Sequence, residues 1–251
     1  MTEHIIYFEV KGNYGHFRRP SPNTNKQTYD FPPRTVISGL LAGGLGYESD
    51  SYYELFDTDT TKIGIEIINS VSKRTISKNY KSTSDGEYNK TKLEEHGKVG
   101  VMSPQKSVDT PYQQTPVEYI RNPHYKFYVV TENDALFEEL KELATEKLWV
   151  YTPYLGSSEC SMTHIEGGVY TGEYTEVTDE PVTTVVPSTD NINIESLTFK
   201  LEKMVTNFTL TDDEERVPKD YMNVYYTQDL TPIQVSGEVL QLETGDSIIV
   251  Y

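Results

Sequence analysis

Residues 15–19, Gly-His-Phe-Arg-Arg, set a glycine, a histidine, an aromatic ring and two guanidinium groups side by side. A glycine lets backbone amides approach a phosphate, a ring stacks on a base, and guanidinium forks pair with phosphate oxygens. Tyr14 and Tyr29 add stacking surface around Gly15, Phe17, Arg18 and Arg19. Arg34 opens a segment that reads as a helix, and anions are favoured at a helix N-terminus. Lys73, Arg74, Lys78 and Lys81 fall within residues 71–84, which contain no acid. Such a row could track a polyanion backbone, with Tyr154 and Gly156 supplying a second loop. His16 is the one of five histidines inside a basic, aromatic loop, where it could act as a general base toward a 2′-hydroxyl. Each basic residue taken alone reads more simply as a solvated surface charge. Taken as a set they suit a polyanion.

The charge balance is uneven along the chain. Net charge over the 251 residues is −17, yet residues 1–130 hold 16 basic and 15 acidic side chains, and residues 131–251 hold 6 and 24. This suggests a polyanion site on the first part and a solvated acidic second part. The alternative is an acidic, salt-adapted protein whose two basic clusters are incidental. At about 1 M salt the screening length is roughly 3 Å, so stacking by Tyr14, Phe17 and Tyr29 would then outweigh net charge in holding RNA.

The elements that must position these groups follow from pattern. Pro32 and Pro33 fix φ and remove two donors, so residues 28–31 cannot run into a helix. Residues 34–45 can be helical, with Val36, Leu40 and Leu41 as the apolar stripe and Ile37 at its margin. Glycines at 39, 43, 44 and 46 cost about 1 kcal/mol each against alanine inside a helix, so that bare surface should face a close neighbour. Residues 4–10, 62–70, 115–120 and 125–131 read as strands, and 11–29 as a loop. Residues 134–147 form the clearest helix, with Asp134 as its cap, and 149–151 a short strand. Residues 71–110 are polar and aperiodic, a functional excursion with a hairpin tip at Asp85-Gly86. Beyond residue 156, short strands at 164–170, 183–186, 197–199, 207–210, 223–226 and 247–251 are punctuated by Gly167-Gly168, Thr171-Gly172 and other turn signals. The expected class is α+β. A ferredoxin-like, RNA-recognition-motif-like domain over 1–155 carries an inserted thumb at about 71–112, and a small antiparallel β domain covers 156–251.

Four stretches, HIIYFEVKGNYGHFRRP, TYDFPPRTVISGLLAGGLG, TPYLGSSEC and GGVYTG, resemble in order the Cas five subunit of CRISPR surveillance complexes, most closely its type I-B form. The resemblance covers roughly the first 172 residues. It implies a cytoplasmic subunit of the Cascade ribonucleoprotein in antiviral defence. Such a subunit grips the 5′ handle of the guide RNA and caps the backbone filament. It works beside a Cas seven type backbone subunit and a Cas eight type large subunit, and meets target DNA only indirectly. A thumb inserted in the first domain folds over the RNA.

Other chemistries fit less well. The single Cys160 leaves no disulfide within this chain and no cysteine cage. No stretch follows a metal-ligand spacing or a phosphate-loop motif, so neither metal nor cofactor is expected. No apolar run approaches 18 residues, which argues against a membrane span. Mean hydropathy is −0.56 and 36% of residues are apolar, in keeping with a soluble protein. Two alternatives stay open. One is a metal-independent endoribonuclease acting on guide precursors, for which the related type I-C branch uses a tyrosine, lysine and histidine set. His16 would be its base, with Lys92 and His96 the nearest Lys-His approach. The other is an acidic ferredoxin-like binding module without RNA.

Overall fold

The computed structural model describes residues 2–20, 25–81, 112–189, 191–196 and 198–251. Its centre is β1 (Thr2–Gly12), an eleven-residue strand buried along one face and, at Ile5, on the other. Ile6, Phe8 and Val10 point to one side, where they meet α1 (Arg34–Leu45) and α2 (Asp134–Glu146) through Ile37, Leu41, Leu136 and Leu140. Ile5 points to the other side, into a smaller cluster with Tyr128, Leu240, Leu242 and Ile248. β3 (Thr61–Ile67) and β6 (His124–Thr131) continue the sheet on one edge of β1, and β7 (Met162–Val182) pairs with its other edge. β12 (Ile233–Leu242) and β13 (Ser247–Ile248) follow, giving the antiparallel order β13-β12-β7-β1-β6-β3, with β9 (Ile192–Ile194) also on β12.

This sheet curls until its ends meet. The Ile63 amide donates to the Tyr251 carbonyl at 2.9 Å and the Tyr251 amide to Ile63 at 3.3 Å, while Val185 donates to Ile65 at 2.7 Å. A second sheet, in the order β10-β11-β8, joins β10 (Lys200–Leu210), β11 (Arg216–Tyr226) and β8 (Val186–Pro187). A third, in the order β2-β5-β4, joins β2 (Tyr14–Gly15), β5 (Tyr112–Arg121) and β4 (Lys73–Lys81). β4 and β5 pair from Lys73–Ile120 out to Lys81–Tyr112. They form the base of an arm whose expected tip at Asp85-Gly86 lies outside the described residues, as do Lys92 and His96.

Several expectations are corrected. Strand β7 runs unbroken through Gly167-Gly168 and Gly172, which are not turns. A Cβ on Gly167 would lie 2.8 Å from the Tyr7 carbonyl and 2.9 Å from the Ala144 side chain, so the strand is bare because α2 presses on it. The same strand pairs with both β1 and β12, so the main sheet takes strands from either side of residue 155. Residues 149–151 form no strand. The α2 cap is Asn133, whose Oδ1 accepts from the Leu136 amide at 3.1 Å, one residue before the expected Asp134.

Helix α1 begins and ends where the prolines and Gly46 place it, but its buried face is rotated. Arg34, Ile37, Ser38, Leu41, Ala42 and Gly44 face inward, while Val36 and Leu40 are half-buried. Gly44 is needed because a Cβ there would meet the Trp149 ring at 2.7 Å. The largest surprise is Arg34, at 2% exposure. Its Nε donates to the Tyr251 carbonyl at 3.2 Å, and Nη1 to the Thr206 carbonyl at 3.1 Å and to Asn207 Oδ1 at 3.0 Å. Nη2 donates to the Thr61 carbonyl. Burial pushes the guanidinium down to about 10, so it is charged near neutrality. Removing it leaves buried carbonyls unpaired, at about 1–3 kcal/mol each. Arg34→Leu is therefore expected to lower the unfolding free energy in urea by about 3 kcal/mol or more, and Arg34→Lys by less, since lysine keeps the charge without the planar fork.

A candidate nucleic-acid interface

The arm sheet β2-β5-β4 has two faces of different character, and register assigns their residues. Directly opposed residues of an antiparallel pair share a face. Arg74 lies opposite Tyr119 and Ile76 opposite Val117, and Lys78 and Tyr80 continue the same side of β4. Tyr14, opposite Arg121 in β2, stands edge-on to Tyr119 at 6.0 Å between ring centroids. The His16 ring lies 5.5 Å from that of Tyr119. Lys26 bridges in parallel to Val117 and sets its ammonium 3.9 Å over the Tyr80 ring. One face therefore gathers lysines and an arginine among tyrosines, and neither Lys26 nor Arg74 has an ion pair among the described residues. A ring beside a cation offers stacking and phosphate pairing together.

The other face is neutralised from within. Lys73 Nζ contacts Asp30 Oδ1 at 2.6 Å and Glu118 Oε2 at 3.2 Å, and donates to the Thr28 carbonyl at 2.9 Å. Asp30 is buried and also accepts from Tyr226 Oη at 2.8 Å and from Gln228. Burial works to raise its pKa, but Lys73 and Tyr226 outweigh that and hold it below the ordinary aspartate value. Arg19 pairs with Glu202, donates from Nε to the Thr28 carbonyl at 3.2 Å, and lies 4.9 Å over the Tyr29 ring.

Two loops frame the basic face. Residues 16–20 and 25–31 are pinned to β5 and to each other, with Lys26 N donating to Pro116 at 3.0 Å and Tyr29 N to Phe17 at 2.8 Å. Residues 154–161 lie against the start of that loop, the His16 amide donating to Leu155 at 3.0 Å. Gly156 adopts φ +82°, and a Cβ there would sit 2.2 Å from the His16 carbonyl, so only glycine fits. His16 Nδ1 lies 2.7 Å from the Glu118 carbonyl, so it must donate and Nε2 is the acceptor in the neutral ring. Burial lowers the His16 pKa, with the Glu118 carbonyl acting in the opposite direction. On the same loop Glu159 accepts from Tyr119 Oη at 2.8 Å and pairs with Lys78.

The sequence-derived set is thus divided. Tyr14, His16 and Lys78 come together around Tyr119, and Arg74 shares their face; Gly15 follows Tyr14 in β2, Gly156 packs against the His16 carbonyl, and exposed Tyr154 bridges to Ser161 on its own loop. Arg18 is exposed and bridged to Thr28 across the same loop. Lys81 ends β4 at the limit of the described arm. Arg34 is not a phosphate ligand, because its donors are spent on carbonyls inside the protein. Phe17, at 1% exposure, packs edge-on to Tyr125 at 5.9 Å between centroids and cannot stack a base there. Tyr29 is buried beneath Arg19, and Arg19 and Lys73 are already paired. Tyr119, Tyr80 and Glu159 were missed. Alternation along β4 and β5 was the signal available for the first two; nothing local marks Glu159.

An acid limb follows from Asp30. A carboxylate whose folded pKa is depressed contributes stability fully above its unfolded value, near ~4, and loses it as pH falls through the folded value. Thermal midpoints measured from pH 6 downward are expected to drop below about pH 4, and less steeply in Asp30→Asn, whose midpoint is already lower at pH 6. Phe17→Ala is expected to cost about 3–5 kcal/mol of stability, read by urea denaturation.

The family model described as CRISPR-associated protein (Cas_Cas5) matches residues 5–230. No curated protein matches the sequence. Among solved structures, a chain described as "CRISPR RNA-guided surveillance complex" aligns at 14% identity and a TM-score of 0.48, over 96% of this chain and 92% of that one. A "CRISPR-associated Protein" aligns at 14% identity and TM-score 0.36, over 79% and 82%. A "Cas protein" aligns at 13% identity and TM-score 0.36, over 61% of this chain and only 57% of its own length.

Proposed function

The chain belongs to the CRISPR-associated Cas5 family, and on that premise we propose that it is a non-catalytic, RNA-binding subunit of a type I-B surveillance complex. In this reading it grips the 5′ handle of the guide RNA in the cytoplasm and caps the backbone filament. Its neighbours are a Cas seven type backbone subunit and a Cas eight type large subunit, and target DNA is met indirectly. The observation that carries the reading is the arm face on which Lys26, Arg74 and Lys78 alternate with Tyr14, Tyr80 and Tyr119. Cations among rings suit a single strand, whose bases stack and whose phosphates pair.

Further features support the architecture of this reading. The neighbours β7-β1-β6-β3, taken with α1 and α2 on one side, have the 4-1-3-2 order of a ferredoxin-like domain. The β4–β5 arm stands where a thumb would begin. The β10-β11-β8 sheet is the candidate for the small C-terminal β unit, although the main sheet also takes strands from that half. Arg18 and Lys81 then extend the RNA path at the two margins of the arm.

A second reading, a metal-independent endoribonuclease, draws on one observation. His16, Tyr119 and Lys78 lie together, and such a set can move protons without a metal. The burial of His16 favours the binding role. Purified from its host, the chain is expected to carry RNA with one defined 5′ handle. Lys26→Ala and Arg74→Ala should each weaken binding of that RNA and lower the slope of log K against log salt by about 0.7 per lost contact, measured by fluorescence anisotropy. Cleavage of a repeat transcript by the chain alone in EDTA, abolished in His16→Ala, would favour the endoribonuclease. Absence of RNA from the purified assembly would favour a binding module of another kind.

A further inference from the structure

The basic face is partly occupied by a carboxylate of the protein itself. Glu159 Oε1 receives the Tyr119 hydroxyl at 2.8 Å and the Lys78 ammonium, and the Ser157 hydroxyl also holds the carboxylate. Hydrogen bonds from Lys78 and Tyr119, acting against slight burial, keep this carboxyl down to about 2. An ammonium and hydroxyls converging on one anionic oxygen would suit a phosphodiester oxygen equally well. The pair sits at the surface, with the Lys78 side chain 33% exposed and that of Glu159 49%. Exposed ion pairs contribute at most about 1 kcal/mol, so exchanging one anion for another there costs the fold little.

The loop is built so that Glu159 can leave without unfolding it. Buried Leu155 and Cys160 anchor its two ends, joined by a 2.8 Å hydrogen bond from Leu155 N to the Cys160 carbonyl. Ser157, Ser158 and Glu159 form the turn between these anchors. Rotation of one side chain at that turn opens the seat while the backbone stays in place.

We propose that Glu159 is an internal placeholder for a phosphate, and that single-stranded RNA binds at Lys78 and Tyr119 by displacing it. This rests on the RNA-binding reading of the arm face. The placeholder keeps Lys78 oriented when no RNA is present and makes weak, isolated anions compete with a tethered carboxylate. Only a strand that also engages Lys26, Arg74 and the tyrosines gains enough to exchange it.

The test uses the full chain and a 5′-labelled single-stranded RNA of the host repeat, read by anisotropy across a salt series. The unmodified chain is compared with Glu159→Gln, Lys78→Ala and the double variant, each first matched to the parent by thermal midpoint. Glu159→Gln is expected to tighten binding about threefold to fivefold, the scale of a surface ion pair. Its salt slope should match the parent's, since Lys78 meets the phosphate in both complexes, whereas Lys78→Ala should lower the slope by about 0.7. Lys78→Ala should weaken binding, and the double variant should match it. Unchanged or weaker binding by Glu159→Gln, with the parent chain binding RNA normally, would overturn the placeholder alone. Failure of the parent chain to bind the RNA at any salt would overturn both this inference and the reading beneath it.

Discussion

A single buried guanidinium joins parts of the molecule that no continuous strand connects. Arg34 begins the first helix, yet its donors reach the start of β3, the middle of β10 and the residues that seal the curled sheet. The bond to Asn207 extends further, because Asn207 in turn donates to Thr58 and Asp220, and Lys219 pairs with Asp57 nearby. A charge removed from water is tolerated only when every donor finds an acceptor. Here carbonyl oxygens serve in place of a carboxylate, so the helix, both edges of the main sheet and the second sheet must be in register together. The arm that carries the basic face leaves this frame between β3 and β6, whose pairing the frame fixes.

Charge on the arm obeys a local logic that the total of −17 hides. Lys73 and Arg19 meet Asp30, Glu118 and Glu202 on the side turned toward the body, where a bare cation would be costly. On the opposite side Lys26 lies over the Tyr80 ring instead, which holds a cation without cancelling its charge, and Lys78 over the Tyr119 ring is shared with the exposed Glu159. The same residue types thus serve as structural ties on one face and as potential ligands on the other. Pairing direction, fixed by strand register, decides which.

This explains which features were legible in the sequence. The boundaries of α1 were readable because Pro33 and Gly46 act through their own backbones. The strands β1, β3 and β6 were readable because alternating apolar residues fill two distinct cores. Gly167 and Gly168 misled because a glycine that admits a neighbour has the same letter as one that turns a chain. Arg34 misled because its surroundings come from residues up to 217 positions away. Phe17 has the composition of a stacking ring, but a loop pinned to β5 turns it inward. Glu159 and Tyr119 are 40 positions apart and became neighbours only through the fold.

The closure of the main sheet also bears on how the chain reaches its native state. Contacts between residues 61–65 and 249–251, and between Arg34 and Tyr251, close very large loops, and nothing rewards that entropy until most of the sheet exists. The β4–β5 ladder pairs over its own length and is joined by β2 and the neighbouring loop. The molecule is therefore built of two cooperative units of unequal reach: a hairpin assembled by shorter-range contacts and a body whose seam forms late. A transient opening of that seam exposes the edges of β3 and the last strand while the ladder of the arm stays intact. The basic face of the arm is, in this sense, insulated from the slowest event in the fold that supports it.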